Sequence, residues 1–264
     1  MKNKRIILLI LFISLALGAS GCAKDETELV VGMELAYPPF ETTDPEGNPM
    51  GISVDLAYAL GEYLDRPVRI ENTAWGGLIP ALQSGKIDMV LSSMTIRPDR
   101  LEQIDFSDPY ADAYLALLIN QDSPVQLAED LNHADRILAV KNGTTGHLVA
   151  MDLFPKATIN AFDNENACVL EVSQGKADAF IYDQLTIYKN WKLNETTTRP
   201  LLEPFQDTPE QWGIGIKKGN DELKNQINAF LRDFKSSGGF SKLQETHLSE
   251  QKILFDELGV PLFF

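Results

Sequence analysis

Three histidines, His133, His147 and His247, share no spacing with a serine, a cysteine or an acid that would build a triad or a metal site, so no metal or cofactor is expected. The residues that invite chemistry are charged and hydroxyl groups placed where apolar runs stop. Ser92-Ser93 ends the run Ile87–Leu91, and Asp183 follows Ala177–Ile181. A carboxylate buried without a partner is costly, so Asp183 at a cleft wall calls for a cation. Its other use, compatible with the first, is to cap a helix over 184–190. Arg100 carries a guanidinium, which grips a carboxylate with two parallel charge-assisted bonds that lysine cannot reproduce. Taken alone, Arg100 reads more simply as a surface salt bridge with Asp105 or Asp108. Thr144 and Thr145 open a helix whose free N–H groups and dipole favour an anion.

The elements that must position these groups alternate. Strands are predicted over Glu28–Leu35, Val68–Glu71 and Ile87–Leu91, with helices over Ile52–Leu64 and Leu78–Ser84 between them. Ile52, Leu56, Leu60 and Leu64 share one face of the first helix. A second round follows Pro109: strands Ile137–Val140, Thr158–Phe162 and Ala177–Ile181, and helices Thr145–Leu153 and Glu165–Gln174. Repeated βα units predict an α/β fold with a parallel sheet twice over. An internal echo agrees: LQSGKIDMVLSS at 82–93 and VSQGKADAFIYD at 172–183 each run from a helix end through Gly-Lys and an Asp into an apolar strand. Ligands of open α/β sheets sit beyond the carboxyl ends of the strands, so both lobes should aim their polar strand ends at a shared cleft. Ala113–Asn120 is predicted to carry the chain out of the first lobe and Gly213–Ile216 to bring it back, making a hinge. A helix is predicted over Asp221–Leu243.

The 264 residues carry a formal net charge of −15 and are 44% hydrophobic, enough for a sizeable core. The acidic balance argues against nucleic acid as a partner, which needs a basic footprint. Lys2, Lys4 and Arg5 precede an apolar run over Ile6–Ala19, too short to span a bilayer comfortably but suited to a secretory signal. Ala19-Ser20-Gly21-Cys22 resembles a lipoprotein box, although Ala19 stands where a leucine is usual. Residues 1–21 are thus expected to be removed, Cys22 to be acylated, and 22–28 to act as a tether. The mature charge would be about −18. Cys168 would then be a lone thiol, buried and inert in its apolar stretch. No second apolar run approaches membrane-spanning length.

The segment AWGGLIPALQSGKIDMVLSSMTIRPDRLEQIDFSDPY (74–110) resembles the signature region of the bacterial extracellular solute-binding proteins for polar amino acids. VGMELAYPPFE (31–41), GISVDL (51–56), AVKNGTTG (139–146) and GKADAFIYD (175–183) match the same family in order and spacing. The resemblance spans about 28–247 and leaves LFDELGVPLFF (254–264) outside the pattern, with packing or a partner contact as its expected use. It implies a two-lobed, periplasmic-binding-protein-like (type II) fold with two crossover strands. Lobe 1 would hold 29–112 and 213–264, and lobe 2 would hold 113–212.

The resemblance also implies an extracytoplasmic, lipid-anchored monomer that captures a free amino acid and delivers it to an ABC-transporter permease. Arg100 would take the ligand's carboxylate and Asp183 its ammonium, with Ser92, Ser93, Thr95, Thr144 and Thr145 completing the polar contacts. Arg97, where the family usually has a small hydroxyl residue, would face solvent. Tyr37 and Trp75 match the aromatics that sandwich the ligand's aliphatic stem, with core packing as their other use. Glu34 takes the place of an acid at the ligand's distal end. Ser53 stands where binders of basic ligands put a second acid, and Lys141 matches a donor position of glutamine binders. Glu34 and Lys141 together suit a carboxamide, so a glutamine-like ligand is expected. Two rivals share the fold. One is a cyclohexadienyl (arogenate or prephenate) dehydratase, which needs a general acid in the cleft; Thr186, a little beyond Asp183, is not one, while Glu34 could serve. The other is a sensory amino-acid-binding module.

Overall fold

The computed structural model describes residues 28–259 and 262–264, so the expected signal segment, most of the tether and Cys22 lie outside the described residues. Two five-stranded sheets form two lobes. In the first, the order is Val68–Asn72, Leu29–Met33, Met89–Val90, Gly215–Ile216, Asp105–Phe106. The first three run parallel and the last two antiparallel to their neighbours. The second repeats this plan as Thr158–Phe162, Ile137–Lys141, Ala179–Asp183, Leu115–Asn120, Thr198–Leu201.

Strand Leu29–Met33 is buried at every position because helices cover both sheet faces. Its side chains alternate. Leu29, Val31 and Met33 join Ile52, Leu56 and Leu60 on one face, while Val30 joins Leu78 and Leu82 on the other. Leu117 and Ile119 likewise pack with Val140, Ala150 and Phe154, and Leu118 with Cys168, Val172 and Phe180. Each fully buried Leu or Ile contributes roughly 1.5–3 kcal/mol by leaving water. Cys168 is free and buried, and burial pushes its thiol up to about 12, which keeps it protonated and inert.

The echoed segments are structural equivalents. Gly85 and Gly175 both take left-handed φ, 77° and 69°, which ends each helix. Asp88 then accepts from Val30 N at 2.8 Å, and Asp178 from Ile137 N at 2.8 Å. Each acid pins the start of the neighbouring strand and so sets the register that carries the polar strand ends to one place.

Two expectations are revised. The chain crosses between lobes at Ala111–Ala113 and Glu210–Trp212, which pair antiparallel with Ala113 opposite Glu210 and Ala111 opposite Trp212. Leu115–Asn120 belongs to the second sheet and Gly215–Ile216 to the first. The crossing strands are three residues each, and the stronger apolar pattern beside them belongs to the sheets. The helix expected over Asp221–Leu243 is two, Asp221–Ser236 and Gly239–Leu258, separated where Gly238 turns left-handed at φ 79°. Phe255 of the second helix and Phe263 beyond it enter the core of the first lobe. Among the described residues no helix is long and apolar enough to cross a membrane.

Candidate functional site

The strand ends of both lobes face one cleft. From the first lobe come Glu34, Tyr37, Glu41, Trp75, Ser92, Ser93, Thr95 and Arg100; from the second, Leu115, Thr144, Thr145, Gly146, Tyr182 and Asp183. Ala113, Glu210 and Trp212 of the crossing strands close the back.

Arg100 sits in the short helix Pro98–Leu101 and is 3% exposed. Its two terminal nitrogens donate to Thr95 O at 2.9 Å and, across the cleft, to Gly143 O at 3.1 Å. The Trp75 ring lies 5.2 Å from the guanidinium carbon. The surface salt bridge is thereby overturned: Asp105 accepts from Gly219 N, and Asp108 lies near Arg232. Burial, aided by the like charge of Arg97, lowers the guanidinium to about 9, so it stays charged at neutral pH. A buried cation bonded to neutral carbonyls is a receptor for an anion.

Asp183 ends its strand 4% exposed. One oxygen accepts from Thr186 N at 3.0 Å and caps the helix Gln184–Leu193; the other accepts from the Tyr37 hydroxyl of the opposite lobe. Cap and cleft wall are therefore one residue. Burial raises its carboxyl above the ordinary range, against the hydrogen bonds that lower it. Burial and the Asp183 charge raise the Tyr37 phenol, which remains a donor.

Further contacts shut the lobes on each other. Thr145 Oγ1 donates to Thr95 Oγ1 at 3.0 Å, and Arg97 donates to Thr145 Oγ1 at 3.3 Å while pairing with Asp99. Arg97 is thus not solvent-facing: its side chain is 12% exposed because it bridges the cleft rim. Gly146 lets the helix Thr145–Leu153 approach the second sheet, since a Cβ there would meet Ile181 O at 2.8 Å.

Two expected contacts move behind the wall. Ser53 contributes nothing to the cleft surface; it donates to Glu41 at 2.6 Å from the start of helix Ile52–Tyr63. Lys141 also stays off that surface because its ammonium binds the Glu34 carboxylate across the lobes. The donor and acceptor expected to read a carboxamide separately are therefore paired with each other. Glu34 also accepts from Trp75 N at 3.3 Å. His147 is half-buried and accepts from Gly143 N at 3.2 Å.

Sequence reasoning missed Glu41, Tyr182, Glu210 and Trp212. Glu41 is 1% exposed and accepts from Ser53 (2.6 Å), Ser92 (3.2 Å) and Ser93 (3.1 Å). Burial pushes its carboxyl up to about 8, against the pull of the three hydroxyls. Ser93 reaches it from a left-handed backbone, φ 49°, a conformation non-glycine residues rarely hold without a local reason. Gly51, at φ 120°, lets the turn that carries Glu41 lie against the helix start: a Cβ there would meet Phe40 O at 2.5 Å. The acid at the end of Tyr-Pro-Pro-Phe-Glu was the available signal. Glu210 and Trp212 had none, because the crossing strand that carries them was placed a few residues too late. No group of His, Cys, Asp and Glu among the described residues could hold a metal ion.

The chain as a whole, both lobes and the crossings included, is similar to known proteins. A glutamine-binding protein of an ABC transporter, GlnH of Bacillus subtilis (strain 168), is 28% identical over 237 residues, covering 86% of this chain and 83% of that one. The crystal structure of the ancestral amino acid-binding protein AncCDT-1, a precursor of cyclohexadienyl dehydratase, is 37% identical with a TM-score of 0.76, over 84% of this chain and 95% of that one. An ancestral arginine-binding protein bound to glutamine is 33% identical with a TM-score of 0.76, over 84% and 98%. These counterparts are binding proteins, not enzymes. The sequence pattern of one family runs from residue 29 to residue 250, through both lobes and both crossings, and by that match the chain belongs to the bacterial extracellular solute-binding proteins, family 3.

Proposed function

We propose that this protein captures a free amino acid between its lobes, outside the cytoplasm, and delivers it to the membrane permease of an ABC transporter. The observation that carries this reading is the pair of buried charges facing one cleft from opposite lobes, Arg100 and Asp183. A zwitterionic amino acid neutralises both at once, and no neutral or singly charged ligand does. The glutamine- and arginine-binding relatives support the same class. The side chain of the ligand would lie between Tyr37 and Trp75 and end towards Glu41 with its serine hydroxyls. An acid there favours a side chain ending in hydrogen-bond donors. Glutamine is the first candidate; arginine is the second, because Glu34 is already neutralised by Lys141 and a guanidinium beside Glu41 would draw off the proton that burial leaves on that carboxyl. Anchoring through acylated Cys22, and action as a monomer, complete the proposal.

The test is calorimetry after a thermal-shift panel of the twenty amino acids, on wild type, Arg100→Lys and Asp183→Asn. Removing one partner of a buried, hydrogen-bonded charge pair costs about 2–5 kcal/mol, roughly thirty- to several-thousand-fold in affinity. Both variants should fold and lose the ligand. Unaltered affinity in both would put the ligand elsewhere, and turnover of arogenate would favour a dehydratase instead.

A further inference from the structure

The last residues of the chain do something the family pattern does not account for. That pattern stops at residue 250, yet the chain continues to Phe264. Phe263 is 5% exposed, and its carbonyl accepts from Asp112 N, on the outgoing crossing strand, at 3.0 Å. Its ring lies 5.1 Å from that of Trp212, on the returning crossing strand, and 4.7 Å from that of Phe40. One residue thus touches both crossings. Trp212 lines the cleft, and Phe40 stacks at 5.0 Å on Tyr37, which also lines it. Phe264 adds a stacked contact with Phe240 at 5.4 Å, holding the tail to the first lobe. A second bridge lies upstream. Phe255, fully buried, meets the Tyr188 ring of the second lobe at 6.2 Å, centroid to centroid.

We propose that the C-terminal tail is a strap across the hinge, and that Phe263 is a positioning residue that holds the Trp212–Phe40–Tyr37 wall of the ligand cleft in its binding arrangement. The inference rests on the amino-acid-binding reading for its effect on affinity, but not for its effect on the hinge. Asp112 N is the outward donor of a three-residue strand, and the tail supplies its acceptor as an edge strand would. Aromatic contacts of this kind fix ring orientation as well as burying surface. Loss of the tail should therefore loosen the crossings and let the Trp212 ring reorient, while the two sheet cores keep their own packing.

The test uses the mature chain, Phe263→Ala, Phe263→Leu and a truncation after Gly259. Hydrogen exchange without ligand comes first. Amides of 111–113 and 210–212 should exchange at least tenfold faster in Phe263→Ala and in the truncation, with Leu29–Met33 and Ile137–Lys141 unchanged. Calorimetry with L-glutamine and L-arginine, well below the melting temperature, should show affinity weakened about tenfold in the same two variants. Phe263→Leu, which refills the space, should restore most of it. Unchanged exchange at the crossings would overturn the strap. Faster exchange with unaltered affinity would reduce the tail to packing and overturn its positioning role. If wild type binds neither probe, glutamine and arginine fail as ligands, and the exchange data alone decide the strap.

Discussion

The ion pair between Lys141 and Glu34 joins opposite lobes with both side chains nearly out of water, 4% and 14% exposed. At an effective dielectric constant of about 20, unit charges in contact attract by at least ~4 kcal/mol. Desolvation costs several kcal/mol for each ion, so the intact pair contributes little net stabilisation. Breaking it is a different matter. In Lys141→Met the Glu34 carboxylate keeps only the Trp75 amide as a donor in the closed cleft, and removing one member of such a pair costs about 3–5 kcal/mol. The penalty falls on closing, because each lobe's core is untouched. Lys141→Met and Glu34→Gln should each weaken binding by roughly 150- to several-thousand-fold. The double variant Glu34→Gln/Lys141→Met leaves neither member of the pair charged and unpartnered and keeps an acceptor for Trp75 N, so it should return to within about tenfold of wild type, as replaced buried pairs do. Calorimetry with glutamine and arginine gives the cycle, and circular dichroism should show all three variants folded. Single variants that bind like wild type would refute this reasoning. So would tighter arginine binding by Lys141→Met, since Glu34 would then be the receptor of the ligand's side chain.

Two further outcomes follow from particular groups. Burial raises Glu41 from the ordinary 4.5 to about 8, so between those values the folded chain holds a proton that the unfolded chain has released, and stability must fall as pH rises through that window. Urea midpoints at pH 5 and pH 8.5 should therefore differ less in Glu41→Gln than in wild type; equal differences would mean that Glu41 titrates normally. For the proposed anchor, Cys22→Ser should move the protein from the membrane pellet to the soluble fraction, and a variant that still sediments like wild type would show that Cys22 is not the attachment point.

Much of this molecule was legible in its sequence because the signals were local and repeated. The Gly-Lys-x-Asp echo announced two equivalent βα units, and Gly85 with Asp88, and Gly175 with Asp178, do the same work in each. Asp183 was readable from its place at a strand end, whereas Arg100 was readable only through the resemblance, since taken alone it pointed to a surface salt bridge. What escaped were pairings between distant residues. Nothing in the chain's order says that Lys141 will meet Glu34, or that Ser53 will turn its hydroxyl to Glu41 behind the cleft wall. Side-chain type announces a capacity to donate or accept, and only the closed tertiary arrangement decides which capacity the protein uses internally. The crossing strands escaped for another reason: three residues are too few to establish a period against the longer apolar runs beside them.

The register between Ala111–Ala113 and Glu210–Trp212 has a mechanical consequence. Two free lobes would bring six rigid-body freedoms to their meeting, and immobilising separate bodies costs an estimated 4–15 kcal/mol or more. Two unpaired linkers would leave much of that freedom, since each could swivel alone. A hydrogen-bonded ribbon swivels as one piece: it bends easily across its flat face and resists shear along its length. The lobes therefore meet along nearly a single path, most of the entropy of their association having been lost once, during folding. The ligand's binding energy is left to act almost wholly on the contacts it makes.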